Sequence, residues 1–408
     1  MNLFQQFFNM RICVVDLSAS SVVTIPLEAE HVSSCIGGAM LNLFLFRQYK
    51  DEPIVFGVGP LTGSFAPASS LMVATFKSPR FEKICHVPFM LRTGPDMKFS
   101  GIDFLVVKGG ASELSVLHVN RGTVQISPAG NLRELSVPDI TTTLKRDSLP
   151  FRSALVTGPA ADNGILHAAV SVGARGSLDK AGLASRMAAK NLKAIMFHGI
   201  GGLPFRSDNP EQGKELIARI SAEKNFKRRG FVSILKMLDG GKEAGRNLKS
   251  LRKKDMACYH CPSPCMTHIE FTRRDTSQGE GPRVKEGMFL LDHTGWIALA
   301  KKVGTEALPF LRNCVQSGLD PAENYAPPGE VPVKTHTLFG GGIAPIPPGD
   351  LWDKKVGMAM ILGICPLFLL MFPQISETDL LTFIAQREDA MKTLEDRISS
   401  SIQILLAE

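Results

Sequence analysis

The chain changes character at Pro204, and this change is the strongest constraint on its fold. Before it, short β-branched or apolar runs alternate with glycine, proline, serine and asparagine, a pattern typical of strands joined by turns. After it, apolar residues recur at three- and four-residue intervals between charges, which is typical of helices. The sequence therefore predicts an α+β protein, with a β-rich domain over residues 1–204 and a mostly α-helical domain over residues 205–408.

Individual elements can be placed from the same patterns. In the first half they predict strands at 12–17, 54–58, 71–76, 104–107, 116–119 and 154–157, and helices at 38–47, 141–146 and 181–191. In the second half they predict helices within 211–226, 232–238, 295–317 and 378–406. Residues 321–350 hold seven prolines and five glycines, which predicts a long irregular loop.

Composition excludes several classes of protein. With 44% hydrophobic and 21% charged residues, the chain is neither a disordered protein nor a small disulfide scaffold. The net charge of +7 is concentrated in residues 224–254, where eleven lysines and arginines face only Asp239 and Glu243. Such a segment could attract nucleic acid. Its helical apolar spacing and its lack of interleaved aromatic residues favour a solvated helix face, so no nucleic-acid partner is expected.

Two apolar segments bear on location. Residues 356–373 contain no charge over eighteen positions, which is the threshold length for a membrane span. Gly357, Gly363 and Pro366 interrupt the segment and favour a buried one, so no membrane partner is expected. The apolar N-terminus has neither a preceding positive charge nor a small-residue cleavage site, and eight cysteines are too sparse for a disulfide framework. These observations predict a cytoplasmic protein.

Three of the eight cysteines crowd into one short, proline-rich stretch. Cys258, Cys261 and Cys265 follow a C-x2-C-x3-C spacing, and a loop can turn such side chains toward one centre. Three clustered cysteines and a distant fourth are a common ligand set for a [4Fe-4S] cluster, in which each iron takes one thiolate. A zinc site completed by His268 or His260 and the simple burial of free thiols are the alternatives.

The fourth ligand must come from elsewhere in the chain. Cys365 is the best candidate, because Gly363 permits a close approach of the backbone and the apolar surroundings would exclude water. Cys314 is the second candidate.

Several motifs, in order along the chain, carry a resemblance to a known family. They are residues 57–63 (Gly-Val-Gly-Pro-Leu-Thr-Gly), 75–79, 97–103, 158–160, 189–195, the cysteine loop, 318–320 (Gly-Leu-Asp) and 362–365 (Leu-Gly-Ile-Cys). The sequence resembles the tungstopterin-dependent aldehyde:ferredoxin oxidoreductases, and the resemblance is strongest over the first two hundred residues.

The resemblance implies a fold and a ligand set. The first domain would be a two-sheet saddle over a tungstopterin or molybdopterin, followed by a shortened helical domain. The cluster ligands would be Cys258, Cys261, Cys265 and Cys365, and the family's cofactor-binding positions would include Lys180, Leu319 and Asp320.

It also implies an activity. A small aldehyde would be oxidised at the metal, and electrons would leave through the cluster to ferredoxin. Members of the family are often dimers, so a homo-oligomer is one expected state.

The departures from the family pattern fall on the pterin rather than on the cluster. The resemblance places Leu71 at an arginine position, residues 88–91 at an Asn-Ser-Gly-Gly element, and Val315 and Met360 at two aspartate positions. An apolar side chain cannot accept hydrogen bonds from pterin amino groups.

Residues 281–286 depart as well, since they replace a family element that carries two carboxylates near the metal. Glu286, Lys285 and His336 are the remaining candidates for acid–base chemistry, and no catalytic residue is assigned. Two functions follow: an aldehyde-oxidising oxidoreductase, or a cluster-bearing electron-transfer or accessory paralogue that has lost tungstopterin catalysis.

Overall fold

The computed structural model describes residues 5–173, 179, 181–199, 210–222, 231–236, 239–274, 283–291, 293–301, 307–320, 352–385 and 388–408. A six-stranded mixed sheet forms the first layer. Its strands are Arg11–Asp16 (β1), Ser21–Pro26 (β2), Ile54–Val58 (β3), Met72–Lys77 (β4), Ile84–Phe89 (β5) and Phe104–Lys108 (β6). They lie in the order β2-β1-β6-β3-β4-β5, and only the β1–β6 pair is parallel among them.

Three helices belong to this layer: Ala29–Cys35 (α1), Gly38–Gln48 (α2) and Thr93–Phe99 (α3). Strand β3 is buried along its whole length, and α2 packs against β3 and β4. The buried Asn42 of α2 donates its side-chain amide to the carbonyl oxygens of Val55 (3.3 Å) and Val73 (2.8 Å). This contact ties the helix to two neighbouring strands.

A second, five-stranded sheet completes the first half. Its strands are Ser115–Asn120 (β7), Thr123–Pro128 (β8), Ser153–Val156 (β9), Ser171–Val172 (β10) and Leu192–Phe197 (β11), in the order β10-β9-β11-β7-β8. Its helices are Val137–Asp147 (α4), Pro159–Asp162 (α5) and Leu183–Ala188 (α6). One face of the sheet joins the main core, and the other packs on α4 in a separate apolar cluster. The side-chain oxygen of Ser136 caps α4 by accepting from the Asp139 backbone N–H.

The second half contains nine helices among its described residues, together with one small sheet. The helices are Pro210–Ala222 (α7), Phe231–Leu235 (α8), Gly241–Asn247 (α9), His293–Ala300 (α10), Ala307–Ser317 (α11), Trp352–Leu362 (α12), Pro366–Met371 (α13), Glu377–Leu381 (α14) and Glu388–Leu406 (α15). The α+β class, with two sheets first and helices after, is therefore confirmed.

The sequence patterns did not predict the small sheet of the second half. It consists of Lys254–Met256 (β12), Met266–Arg274 (β13) and Arg283–Leu291 (β14), all antiparallel.

Two predicted helices also differ in length. Residues 181–191 hold only the short α6, because Asn191 adopts φ +52° just before β11, and residues 295–317 contain parts of two helices.

Residues 356–373 form a bent, buried pair of helices rather than one long span. Helix α12 ends at Leu362, Gly363 adopts φ +87°, and α13 begins at Pro366. Helix α12 packs against α2 and α15. Among the helices of the described residues, none combines the length and the apolar character needed to cross a bilayer.

Several predictions concern residues outside the described ones. These are the boundary at 204/205, the irregular loop 321–350 with His336, residues 281 and 282 of the altered element, and the first part of the basic segment. The division into two domains stays a prediction.

Candidate metal centre

The three clustered cysteines occupy the loop between β12 and β13. Cys258 and Cys265 are buried and Cys261 is half-buried, so the loop turns its thiols inward. The Cys261 backbone N–H donates to the Cys258 carbonyl oxygen at 3.1 Å, which closes a turn between the first two cysteines. The Phe231 backbone N–H donates to the Pro264 carbonyl oxygen at 2.9 Å and ties the loop to α8.

Cys365 reaches the same region from the other end of the second half. It is 2% exposed and stands immediately before α13, and its backbone N–H donates to the Ala68 carbonyl oxygen at 3.0 Å. A Cβ on Gly363 would overlap Thr62 Oγ1, and φ +87° favours glycine at that position. The turn that delivers Cys365 therefore depends on glycine, as its sequence context suggested.

The four thiols lie within electrostatic reach of one another. Burial raises the pKa of Cys258 to about 11, and burial together with the Cys258 charge raises the pKa of Cys365 to about 12. Burial also holds the pKa values of Cys261 and Cys265 well above the usual range, and both are raised further by the charges of Cys258 and Cys365. The structure thus brings together the four cysteines that the sequence singled out.

This donor set fits a cationic iron–sulfur cluster. Four buried thiols that disfavour one another's charge need a compensating positive centre before they can all be thiolates. Within the described residues, no three or more His, Cys, Asp or Glu side chains converge as a single metal ion would require. A [4Fe-4S] cluster is larger than one ion and takes one thiolate at each of its four irons, which suits more widely spaced cysteines.

The alternative ligands that the sequence allowed are His260, His268 and Cys314. His260 is exposed and stacks on the Tyr259 ring at 4.4 Å between ring centroids, and His268 is buried in β13, opposite Lys254. Cys314 is buried in α11, and the charges that act on the four thiols include the other cysteines of the group but not Cys314. These positions favour Cys365 as the fourth ligand.

Loops of the first sheet hold both cysteine segments in place. The Ala68 backbone N–H donates to the His260 carbonyl oxygen (2.9 Å), and the Tyr259 N–H donates to the Leu91 carbonyl oxygen (2.7 Å). The Leu71 N–H donates to the Gly363 carbonyl oxygen (3.2 Å). The geometry of the four thiols is therefore set by backbone contacts with the first domain.

Lys98 is a buried residue of this region to which sequence reasoning assigned no role. Its ammonium donates to the carbonyl oxygens of Gly59 (3.3 Å), Pro60 (3.1 Å) and Thr62 (3.1 Å). These bonds stabilise the loop of residues 59–62, which contacts Gly363. It also lies 4.9 Å from the centroid of the Phe8 ring. Burial lowers the pKa of Lys98 from 10.5 to about 7, although the Asp103 carboxylate acts in the opposite direction.

We expect Lys98 to make stability rise with pH. Because its folded-state pKa is depressed, the unfolded chain binds more protons than the folded one between pH 7 and 10.5, and linkage then gives a positive slope of the unfolding free energy in that window. Lys98→Met should flatten the slope, and the exposed Lys50→Met should leave it unchanged. Urea unfolding at several pH values measures both, and equal slopes in wild type and Lys98→Met would contradict the expectation.

Two of the three predicted cofactor-binding residues, Leu319 and Asp320, are among the described residues. Lys180 is outside the described residues. Leu319 is half-buried and forms an isolated β-bridge with Ala168, and Asp320 is 6% exposed. Their assignment to a cofactor stays a prediction.

Two glycine pairs join the halves of the molecule in the same way. Gly59 lies against the backbone of Leu362 and Gly363, and a Cβ on Gly59 would overlap it. Gly158 lies against the backbone of Ser317 and Gly318 with the same consequence. Gly318 and Gly363 each follow a helix and have positive φ, and Gly59 and Gly158 each precede a proline. Each of the two sheets therefore contacts the end of one helix through main-chain atoms at a glycine.

The positions that the resemblance assigns to polar pterin contacts are filled by packed apolar side chains. Leu71 and Met360 are fully buried in the main core, and Val315 is 3% exposed in the cluster formed by α8 to α11 and β13. These residues do not fit the pterin contacts of the family.

Comparison with known proteins agrees with the fold. Residues 12–199 match the family model "Aldehyde ferredoxin oxidoreductase, N-terminal domain". A tungsten-containing aldehyde ferredoxin oxidoreductase of Pyrococcus horikoshii is 29% identical over 199 residues, which are 46% of this chain and 33% of that protein. The WOR-like subunit of an aliphatic sulfonate oxidoreductase of Pyrococcus furiosus is 22% identical over 222 residues, which are 48% of this chain and 35% of that protein. The matches thus span about a third of the relatives' own length.

A solved structure shares the fold over a larger part of the chain. The active-site complex BamBC of benzoyl coenzyme A reductase, solved with 1,5-dienoyl-CoA, superimposes with a TM-score of 0.63 at 17% identity. The superposition covers 77% of this chain and 54% of that one, so it reaches beyond the first domain. Residues 12–199 therefore resemble the N-terminal domain of the aldehyde ferredoxin oxidoreductases, and the low identity and partial coverage fit a divergent member of that family.

Proposed function

We propose that this protein is an oxidoreductase-family electron carrier that holds a [4Fe-4S] cluster on Cys258, Cys261, Cys265 and Cys365 and passes electrons to ferredoxin or another iron–sulfur protein. The observation that carries the proposal is the convergence of three buried thiols and one half-buried thiol from two segments more than ninety residues apart. Such a cluster supplies reversible one-electron transfer when bound.

The chain's own residues support that chemistry. The Sγ of Cys365 lies 3.1 Å from the Sδ of Met90, and the Sγ of Cys261 lies 3.4 Å from the carbonyl oxygen of Ser263. Burial of this shell excludes water, and hydrogen bonds to the sulfurs tune the potential of a cluster. Eight cysteines in 408 residues are too sparse for a disulfide framework, which supports our proposal of a reducing, cytoplasmic location.

The proposal has two forms, which differ in the source of the electrons. By resemblance, the protein would oxidise an aldehyde or a related oxo compound at a tungstopterin. The buried apolar residues Leu71, Val315 and Met360 oppose this form, because an unpaired amino group beside them would cost about 1–3 kcal/mol. The same residues favour the second form, in which another subunit or protein supplies the electrons and this chain only relays them.

Analysis of anaerobically purified protein tests both forms. We expect about four irons with matching sulfide and a broad visible absorption that bleaches on reduction. Tungsten or molybdenum with an extractable pterin and aldehyde-dependent dye reduction would support the enzyme. Iron and sulfide alone, with reversible reduction by ferredoxin, would support the relay. Zinc in place of iron would contradict both.

We expect Arg92 to contribute to the docking of an acidic electron carrier. The Arg92 side chain is 53% exposed, and its guanidinium carbon lies 5.3 Å from the centroid of the Tyr259 ring. Tyr259 stacks on the exposed His260, whose ring lies 6.0 Å from that of the exposed Phe65, so these side chains form one surface patch. Arg92→Gln should lower the association rate with reduced ferredoxin several-fold at low salt and less at high salt, because such a charge acts mainly by steering. Stopped-flow bleaching measures the rate.

Arg133→Gln is the matched control for Arg92, since Arg133 is also exposed but lies near Lys193 in the second-sheet domain. It should leave the association rate unchanged. Equal loss in both variants would show that only net charge matters, and an unchanged rate in Arg92→Gln would place the docking surface elsewhere.

A further inference from the structure

The outer side of the β7–β8 hairpin borders a cleft of about 510 Å³, a size common for small-molecule sites. His118 lies opposite Gln125 and Asn120 opposite Thr123 in the antiparallel register, so these four polar side chains share one face of the hairpin. The other walls are the C-terminal end of α4 and His198, which follows β11. The opposite face of the hairpin joins the main core through Leu117, Val119 and Val124.

His198 lies at the base of the cleft with its acceptor unsatisfied. It is 1% exposed, and its Nδ1 lies 3.0 Å from the Pro150 carbonyl oxygen. Because a carbonyl only accepts, Nδ1 carries the hydrogen, and in the neutral ring Nε2 is left as an acceptor. Within the described residues, Nε2 of His198 has no hydrogen-bond partner.

A second unsatisfied acceptor lines the same cleft. The buried Oδ1 of Asn120 also has no partner among the described residues. Buried polar atoms are rarely left unpaired, because each costs about 1–3 kcal/mol. Two of them in one cleft point to a ligand that brings N–H or O–H donors.

The rest of the lining restricts the ligand further. Burial lowers the pKa of His118, and the neighbouring His198 lowers it further; the two imidazole rings stack at 5.8 Å between centroids. Asp147 is already paired with Arg146, whereas Arg121 adds an exposed guanidinium. Val116, Leu132 and Leu144 give an apolar wall.

We propose that this cleft is a second ligand site, which binds an apolar carboxylic acid that carries a hydroxyl or amino group. The hydroxyl or one amino N–H donates to His198 Nε2, and a second amino N–H can donate to Asn120 Oδ1. The carboxylate pairs with Arg121, and the apolar part packs on Leu132 and Leu144. The site lies on the sheet face turned away from the main core and is separate from the cysteine centre.

Three probes of similar size separate these contributions. Mandelate has a ring, a hydroxyl and a carboxylate; phenylacetate lacks the hydroxyl; phenylglycol lacks the carboxylate. With the full chain, calorimetry should show mandelate binding about tenfold more tightly than either, a factor that corresponds to about 1.4 kcal/mol at 25 °C. Equal binding of mandelate and phenylacetate, or no binding of mandelate at millimolar concentration, would overturn the proposal.

Variants and a direct readout locate the binding. Arg121→Gln should weaken mandelate to the level of phenylglycol, whereas Arg133→Gln, outside the cleft lining, should not. His198→Phe should remove the preference for mandelate over phenylacetate.

If His198→Phe fails to fold, isotope-labelled histidine in the wild type gives the same answer by NMR. Mandelate should shift the Nε2 resonance of His198 toward the hydrogen-bonded position. Binding that leaves this resonance unmoved would place mandelate elsewhere and overturn the proposal.

Discussion

Cys365→Ala should abolish the intact [4Fe-4S] cluster. Removing the fourth thiolate leaves one iron without a protein ligand, because Cys365 is 2% exposed and packed in the main apolar core. We expect the iron content of anaerobically purified protein to fall from about four to three or fewer per chain. Iron and sulfide analysis with electron paramagnetic resonance measures the loss.

Cys314→Ala is the matched control for this change. Both cysteines are buried in the second half, and Cys314 is the other fourth ligand that the sequence allowed. Cys314→Ala should retain the full iron content and the spectrum of the wild type. If Cys314→Ala lost the cluster and Cys365→Ala kept it, the assignment of the fourth ligand would be reversed.

Gly363→Ala should destabilise the protein by about 3 kcal/mol or more. The left-handed conformation at φ +87° costs a residue with a Cβ about 1–2 kcal/mol, and the new methyl group would overlap Thr62 Oγ1 and displace the loop that Lys98 supports. Because Cys365 is two residues away, the cluster should be lost with the turn. Chemical unfolding and iron analysis measure the two effects.

Gly130→Ala is the control for Gly363→Ala. A Cβ on Gly130 would meet nothing within 4 Å, so the substitution should leave stability and iron content nearly unchanged. A Gly363→Ala protein as stable as Gly130→Ala would show that the turn relaxes easily and that it does not fix the position of Cys365.

Six of the eleven strands of the first half were predicted from sequence, because they are short apolar runs with clear ends, whereas β2, β5, β8, β10 and β11 were missed. Residues 54–58 form a strand with the predicted bounds, since β3 is buried on both faces and flanked by turn residues. The β12–β14 sheet was missed although a signal exists: apolar Ile269 and Phe271 alternate with polar His268 and Glu270. The basic segment 224–254, which precedes β13, has helical apolar spacing, so the alternation typical of a strand was not recognised.

For the candidate site, sequence identified the ligand set but not the surrounding contacts. Spacing placed three cysteines in one loop, and the Gly363 turn pointed to Cys365. The three carbonyl contacts of Lys98 and the unsatisfied acceptors of Asn120 and His198 depend on residues brought together only by folding.

The paired glycine contacts separate the architecture of this family from its chemistry. Gly59 with Gly363, and Gly158 with Gly318, join the two halves through main-chain atoms alone. Side chains such as Leu71, Val315 and Met360 can therefore be exchanged without changing how the halves meet. A cofactor contact made by these side chains could change while the junction of the two halves stays the same.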